Sequence, residues 1–228
     1  MSVMLKLLGE RWNVLALSFV AGFADALFFI HLGGLFVGLV TGNVVLIGLG
    51  LVGDEKGGLR GLQIMTFPLF MLGAALAALL VAFIKPLPRA TVVTVVLAAM
   101  ALATAGLLAL TASGPAAACA LISVVAMGML TAINRLDTSL GPPFSLMTGN
   151  IAGLAIAVAR RLVGYAETPA ERGQSWTSIL LVFGFVAGCA AGAVAQNCFG
   201  VSGMLIPATV LLLVGLAHGL RSRGATSA

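Results

Sequence analysis

Charge is confined to short stretches of this chain, and between them run segments of about twenty residues that carry none. Ile64–Ile84, Ala90–Leu110, Ala116–Ile133, Trp176–Gln196 and Gly203–Leu220 are free of Asp, Glu, Lys and Arg, and Trp12–Ile30 contains only Asp25. A helix rising 1.5 Å per residue needs about 20 residues to cross roughly 30 Å of hydrocarbon, so each of these is predicted to be a span. A soluble domain carries about 25% charged residues; this chain carries 8%, with 61% hydrophobic side chains and a mean hydropathy of +1.16. The same arithmetic excludes disorder, a secreted disulfide scaffold and nucleic-acid binding.

The charged residues that remain cluster in the connections: Lys6, Glu10 and Arg11; Asp54, Glu55, Lys56 and Arg60; Lys85 and Arg89; Arg160, Arg161, Glu167, Glu171 and Arg172; Arg221 and Arg223. A net charge of +5 so distributed reads as cytoplasmic loops facing anionic lipid in a multi-pass membrane protein, with the bilayer as partner. Cys119, Cys189 and Cys198 lack metal-binding or redox spacing and read as packing residues. The first apolar run outlasts a signal peptide's core and is read as an uncleaved helix.

Two further apolar segments, Leu32–Val52 and Phe144–Ala159, carry the clearest internal echo. Phe36 followed by Thr41-Gly42-Asn43 returns as Phe144 followed by Thr148-Gly149-Asn150. Upstream, Gly22-Phe-Ala-Asp25-Ala26 parallels Gly128-Met-Leu-Thr131-Ala132; downstream, Phe70-Met-Leu-Gly73 parallels Phe185-Val-Ala-Gly188. Three echoes in one order predict two internal repeats, residues 1–112 and 115–220, forming one membrane domain of the kind many transporters show. The fold expected is all-α and integral to the membrane, with six full spans plus two Thr-Gly-Asn half-helices; eight spans is the alternative. With six spans Lys and Arg divide ten inside to two outside, and with eight, nine to three. Both satisfy the positive-inside bias, and the shortness of Phe144–Ala159 favours half-helices.

Interrupted helices at membrane depth must be buried or line a watery cavity, and a pair of them points to a transporter's site. Thr41, Gly42, Asn43, Thr148, Gly149 and Asn150 are therefore the candidate solute-binding residues, with Thr or Asn capping each half-helix and the glycines permitting the turn. The bland alternative is that the asparagines staple helices together. Asp25, a carboxylate inside an apolar run, is the candidate for proton or cation coupling, against a permanent structural partner. It shares a helix face with Ser18, Gly22 and Phe29. Asn134 and Arg135 are candidates for gating, the arginine otherwise reaching the interface, and a pair between Arg135 and Asp25 is considered. His31 and His218, at helix ends without ligand neighbours, read as interfacial; neither metal nor cofactor is expected. Gly184, Gly188 and Gly192, with Gly73 and Ala77 as counterparts, form small-residue ridges for helix packing, or alternatively for a homodimer face. No paired carboxylates, nucleophile–histidine pair or HExxH indicates an enzyme, and the GxGxxG match at Gly48–Gly53 ends an apolar segment instead of opening a helix after a strand.

With Gly22-Phe-Ala-Asp25-Ala-Leu, Leu32-Gly33-Gly34-Leu-Phe36, Thr41-Gly42-Asn43, Gly128, Asn134-Arg135 and Thr148-Gly149-Asn150, the chain resembles the YoaK-like family of small bacterial membrane proteins over most of its length. The resemblance implies a compact polytopic inner-membrane protein and no particular activity. Members often carry Gln-Asn where this chain has Ile133-Asn134. The function expected from the residues is a small-solute permease of unknown substrate, with a polar site between the halves near the midplane. A non-transporting scaffold is the rival.

Overall fold

The computed structural model describes residues 2–51, 59–111 and 115–226, and among these every regular element is helical. The helices are α1 (Ser2–Leu32), α2 (Val40–Leu51), α3 (Arg60–Phe83), α4 (Leu87–Leu108), α5 (Ala116–Leu136), α6 (Met147–Leu162), α7 (Pro169–Phe199) and α8 (Leu205–Thr226). Short 3-10 turns occupy Thr138–Leu140 and Gly200–Met204. Five segments are long and apolar enough to cross a membrane: Arg11–Leu32, Arg60–Phe83, Leu87–Leu108, Ala116–Leu136 and Pro169–Ser222, the last comprising α7, the turn at 200–204 and most of α8.

Helix ends follow local chemistry. Gly33 and Gly34, at φ 74° and 135°, release the chain from α1 where an L side chain would be strained. Pro86 precedes α4 and Pro115 precedes α5. The expected start of the fifth long helix at Trp176 moves to Pro169, because Thr168 and Glu171 form a capping box that carries the helix through the charged stretch. The expected boundary at residue 112, and Gly53 and Asp54-Glu55-Lys56, lie outside the described residues.

Glycine ridges set the packing. A Cβ on Gly184, Gly188 or Gly192 would fall on the backbone of α1 near Leu15, Phe19 and Phe23 in turn, so α7 runs parallel to α1 at backbone contact. Gly22 of α1 meets the Phe185 carbonyl of α7, just as Gly128 of α5 meets the Phe70 carbonyl of α3; Gly188 meets Phe19 O as Gly73 meets Val125 O. These ridges are filled within the chain by α1 and α5, the use that the sequence left open between packing and a homodimer face. The α8 helix lies antiparallel to both α1 and α4: Gly203 approaches Leu27 and Arg221 covers Gly9, while Gly106 meets Leu205 and Gly219 meets Val92. Large side chains from α1, α4, α5 and α8, including Phe23, Leu27, Leu102, Met127, Leu130 and Leu211, fill the core between them.

The short helices α2 and α6 do not run the length of this bundle. Gln63 and Thr66, in the first turns of α3, bond to Gly34 and Asn43, which places the start of α3 beside the end of α1. The α2 segment thus leaves and returns at one end. In the same way the Asn134 end of α5 holds the loop before α6, and Arg160 and Arg161 at the end of α6 pair with Glu171 and Glu167 near the start of α7, at 3.2 and 2.7 Å. The two short helices sit at opposite ends. Gly141, before α6, packs on Val14, whereas the loop before α2 is held by Asp25, eleven residues or about 16 Å further along α1.

Candidate functional site

At the α2 end the site is built around a carboxylate. Asp25 Oδ1 accepts the backbone N–H groups of Val37 (2.8 Å) and Gly38 (2.7 Å), and Oδ2 accepts that of Leu39 (3.0 Å). Only 4% of Asp25 is exposed. These donors lie immediately before α2, whose N-terminal partial positive charge the carboxylate also meets. The helix is therefore capped from α1, and not by Thr41 or Asn43 as the sequence suggests: α2 begins at Val40, which puts both inside its first turn, with Thr41 exposed.

Asn43 turns back instead. Its amide donates to Phe36 O (2.8 Å) and Thr66 Oγ1 (3.0 Å), and its carbonyl accepts Phe36 N–H (3.0 Å). Both backbone groups of one loop residue are thereby satisfied by one fully buried side chain. Thr66 donates in turn to Gln63 O, and Gln63 donates to Gly34 O at 2.9 Å. Phe29 stacks on Phe36 with ring centroids 4.7 Å apart. The loop 33–39 is latched at Gly34, at Phe36 and at the N–H groups of Val37, Gly38 and Leu39, and packed by an aromatic pair.

The α6 end is built differently. Asn134 of α5 accepts Phe144 N–H (3.1 Å) and donates to Gly141 O (3.0 Å). No side chain caps α6, whose flanking residue is Leu146, so the expected cap by Thr148 or Asn150 is not made there either. Thr148 and Gly149 are exposed, and Asn150 donates only to Leu146 O within its own helix and accepts a long 3.4 Å bond from Ser178. Beside this loop is a cavity of about 520 Å³ lined by Asn134, Arg135, Thr138, Gly141, Pro142, Pro143 and Leu146. Arg135 is exposed.

The structure therefore groups Asp25, Gly42 and Asn43 at one end and Asn134, Arg135, Gly149 and Asn150 at the other, and does not join the two Thr-Gly-Asn motifs in a midplane site. Arg135 and Asp25, at opposite ends, do not pair. A third polar cluster was not legible in the sequence. Asp137, two residues beyond Arg135, is 4% exposed and accepts Thr91 Oγ1 (2.5 Å), Ser139 Oγ (2.6 Å) and Ser139 N–H (3.0 Å). His218 Nε2 approaches Asp137 Oδ2 to 3.6 Å, and at 8% exposure it is buried within the chain. Asn13, on the α1 face that meets α8 one turn from Gly9, is fully buried with both amide atoms unpaired. The signal that could have found the cluster is His218, and for the separate buried amide Asn13, each a polar residue inside an apolar run. Among the described residues no three His, Cys, Asp or Glu side chains converge to hold a metal.

Apolar helices of spanning length, with backbone-deep glycine contacts and polar loops tucked into the bundle ends, define a helical membrane-type protein. The chain belongs to the family described as "Protein of unknown function (DUF1275)", which matches residues 13–217. No curated protein and no solved structure matches it.

Proposed function

We propose that the protein is a small-solute permease of a bacterial inner membrane, built from two inverted repeats, residues 1–112 and 115–220, with six spans and two half-helices. The reading takes α7 and α8 as separate spans joined at residues 200–204. The exchanged contacts support the repeats: Gly22 on Phe185 and Gly128 on Phe70, Gly188 on Phe19 and Gly73 on Val125 are the same contact made twice with the halves interchanged. The half-helices then enter from opposite membrane faces. The excess of Lys and Arg at the α6 end makes that end cytoplasmic.

The observation that carries the reading is the difference between the two equivalent loops. One is sealed by Asp25, Asn43, Thr66 and Gln63; the other borders an open cavity. Inverted repeats that exchange these two conformations give alternating access without any new fold. Thr41, Gly42, Asn43 and Thr148, Gly149, Asn150 meet the solute from the two sides in turn. Asp25 couples because protonation of its carboxylate removes the negative charge and turns one of the two oxygens into a donor, which weakens the latch on the outer loop. Asn134 holds, and Arg135 borders, the inner entrance. No step requires bond-making chemistry, which sets the protein apart from an enzyme. The rival scaffold reading draws on Asn43, which is fully buried with both its amide and its carbonyl bonded.

Single cysteines at Asn43 and Asn150, in a chain with Cys119, Cys189 and Cys198 replaced, separate the two. The permease reading expects Asn150→Cys to react with a membrane-impermeant maleimide from the cytoplasmic side. It expects Asn43→Cys to react from the opposite side once Asp25→Asn unlatches the loop. If neither reacts while loop cysteines do, the scaffold reading replaces it.

A further inference from the structure

We infer that Asp137 and His218 together bind one proton, and that this proton ties the loop before α6 to α8. The inference rests on the permease reading and deepens it, naming the proton as the coupling ion and a second site for it at the inner entrance.

Each end of the bundle buries a carboxylate against the loop that returns there, and the two carboxylates have different neighbours. Asp25 is held by backbone donors, the N–H groups of Val37, Gly38 and Leu39. Asp137 divides its oxygens. Oδ1 accepts Ser139 N–H and Oγ–H, which holds the turn that opens the loop, while Oδ2 faces Thr91 Oγ1 of α4 at 2.5 Å and His218 Nε2 of α8 at 3.6 Å. The Thr91 hydroxyl has one hydrogen and a second acceptor, Leu87 O at 3.1 Å, so it can turn either way and meets an ionised or a protonated Asp137 without losing a bond. His218 Nε2 is buried without a hydrogen bond, and 3.6 Å exceeds hydrogen-bond length. A nitrogen lone pair facing a carboxylate oxygen at this distance is an arrangement that one proton closes. Whether the proton sits on oxygen or on nitrogen, it makes the link between the loop and α8.

Among the described side chains no buried cation offsets Asp137. Arg221, one turn beyond His218 on α8, lays its guanidinium on Gly9 of α1, while Arg135 on α5, Arg89 at the start of α4 and Arg11 on α1 are exposed. With a neutral imidazole the pair carries one negative charge, and with the proton bound it carries none, which favours uptake at a buried site. Thr138, between Asp137 and Ser139, lines the cavity, so the tie and the inner entrance share one turn of chain. A proton therefore acts with opposite sign at the two ends. At Asp25 it weakens the outer latch; at Asp137 it adds the bond that draws the inner loop to α8. The protonated chain opens outward and the deprotonated chain inward. The structure, with the Asp25 latch made and His218 unbonded beside the cavity, has the deprotonated arrangement.

The test uses Leu140→Cys in the otherwise cysteine-free full chain, in detergent, with the rate of maleimide labelling as the readout. Leu140 is fully buried in the turn that Asp137 holds, so its labelling reports opening of that loop. Dividing by the rate of the exposed Val163→Cys removes the titration of the thiol itself. From about pH 8 to about pH 5, where histidine titrates, the ratio is expected to fall about tenfold, the effect of one charge-assisted hydrogen bond. His218→Gln and Asp137→Asn are each expected to abolish that dependence, and His218→Gln decides the matter if Asp137→Asn does not fold. A ratio that stays constant, rises with acid, or falls equally in His218→Gln overturns the proton site and leaves the permease reading to the labelling of Asn43→Cys and Asn150→Cys. Val37→Cys, measured against the same control, is expected to label faster in acid. No increase there removes Asp25 as a coupling group, and with it the opposed action of the proton at the two ends, while the Asp137–His218 site stands.

Discussion

Replacing Asp25 tests whether the α2 loop is held by a carboxylate. Val37 and Gly38 donate to Oδ1 and Leu39 makes its shorter bond to Oδ2, so the three N–H groups have one shared acceptor residue. Asparagine keeps an oxygen for Val37 and Gly38 but points an NH2 group at the Leu39 N–H, which loses one bond and the charge assistance in the others. Hydrogen bonds to a charged group contribute about 1.5–3 kcal/mol, so Asp25→Asn is expected to destabilise the closed loop by about 2 kcal/mol. Asp25→Ala strands all three donors and is expected to cost about 3–5 kcal/mol, the range for breaking a buried charged contact. The assay is local: Val37→Cys, fully buried in the latched loop, reports opening by its maleimide reaction in detergent. A 2 kcal/mol loss predicts a roughly 30-fold faster reaction in Asp25→Asn, at 1.36 kcal/mol per tenfold, with a further increase in Asp25→Ala. Unchanged labelling in both variants, with global stability within about 0.5 kcal/mol of the parent, refutes the latch.

The two Thr-Gly-Asn asparagines are expected to differ sharply. Asn43→Ala strands Phe36 N–H, Phe36 O and Thr66 and is predicted to cost about 2–4 kcal/mol, whereas Asn150→Ala removes one intrahelical bond and a 3.4 Å contact and is predicted to cost under about 1 kcal/mol, both read as the shift in thermal unfolding. Gly22→Ala and Gly128→Ala place a methyl group on a backbone carbonyl and should each lose about 1–3 kcal/mol. Gly48→Ala and Gly153→Ala, which meet nothing within 4 Å, should gain about 0.5–1 kcal/mol; equal effects at the four sites would contradict the backbone contact. Asn13→Leu removes a buried amide with no partner and is expected to raise the unfolding temperature, by about 1–2 kcal/mol in stability. A lower unfolding temperature in that variant counts against an unsatisfied Asn13.

Run length and charge placement made the long helices legible, because hydrocarbon tolerates charge poorly and that constraint is written one residue at a time. Gly33-Gly34, Pro86 and Pro115 marked real breaks for equally local reasons, and the paired echoes around Gly22 and Gly128 pointed to residues that the fold uses alike. The sequence did not specify which polar groups meet. Thr41 and Asn43 have the composition of caps, yet the donors at the start of α2 go to Asp25, twelve or more residues away, because α1 places that carboxylate where the loop returns. Nor is the distance between the two Thr-Gly-Asn motifs encoded in either motif; it follows from α2 and α6 folding back at opposite ends of α1. Asp137 illustrates the same limit. It stands among loop residues in the sequence and is buried only because the ends of α4, α5 and α8 converge on it. Local chemistry fixes where a helix starts and which face is apolar, while the partner of a buried polar atom depends on helices distant in the chain and is decided when they pack.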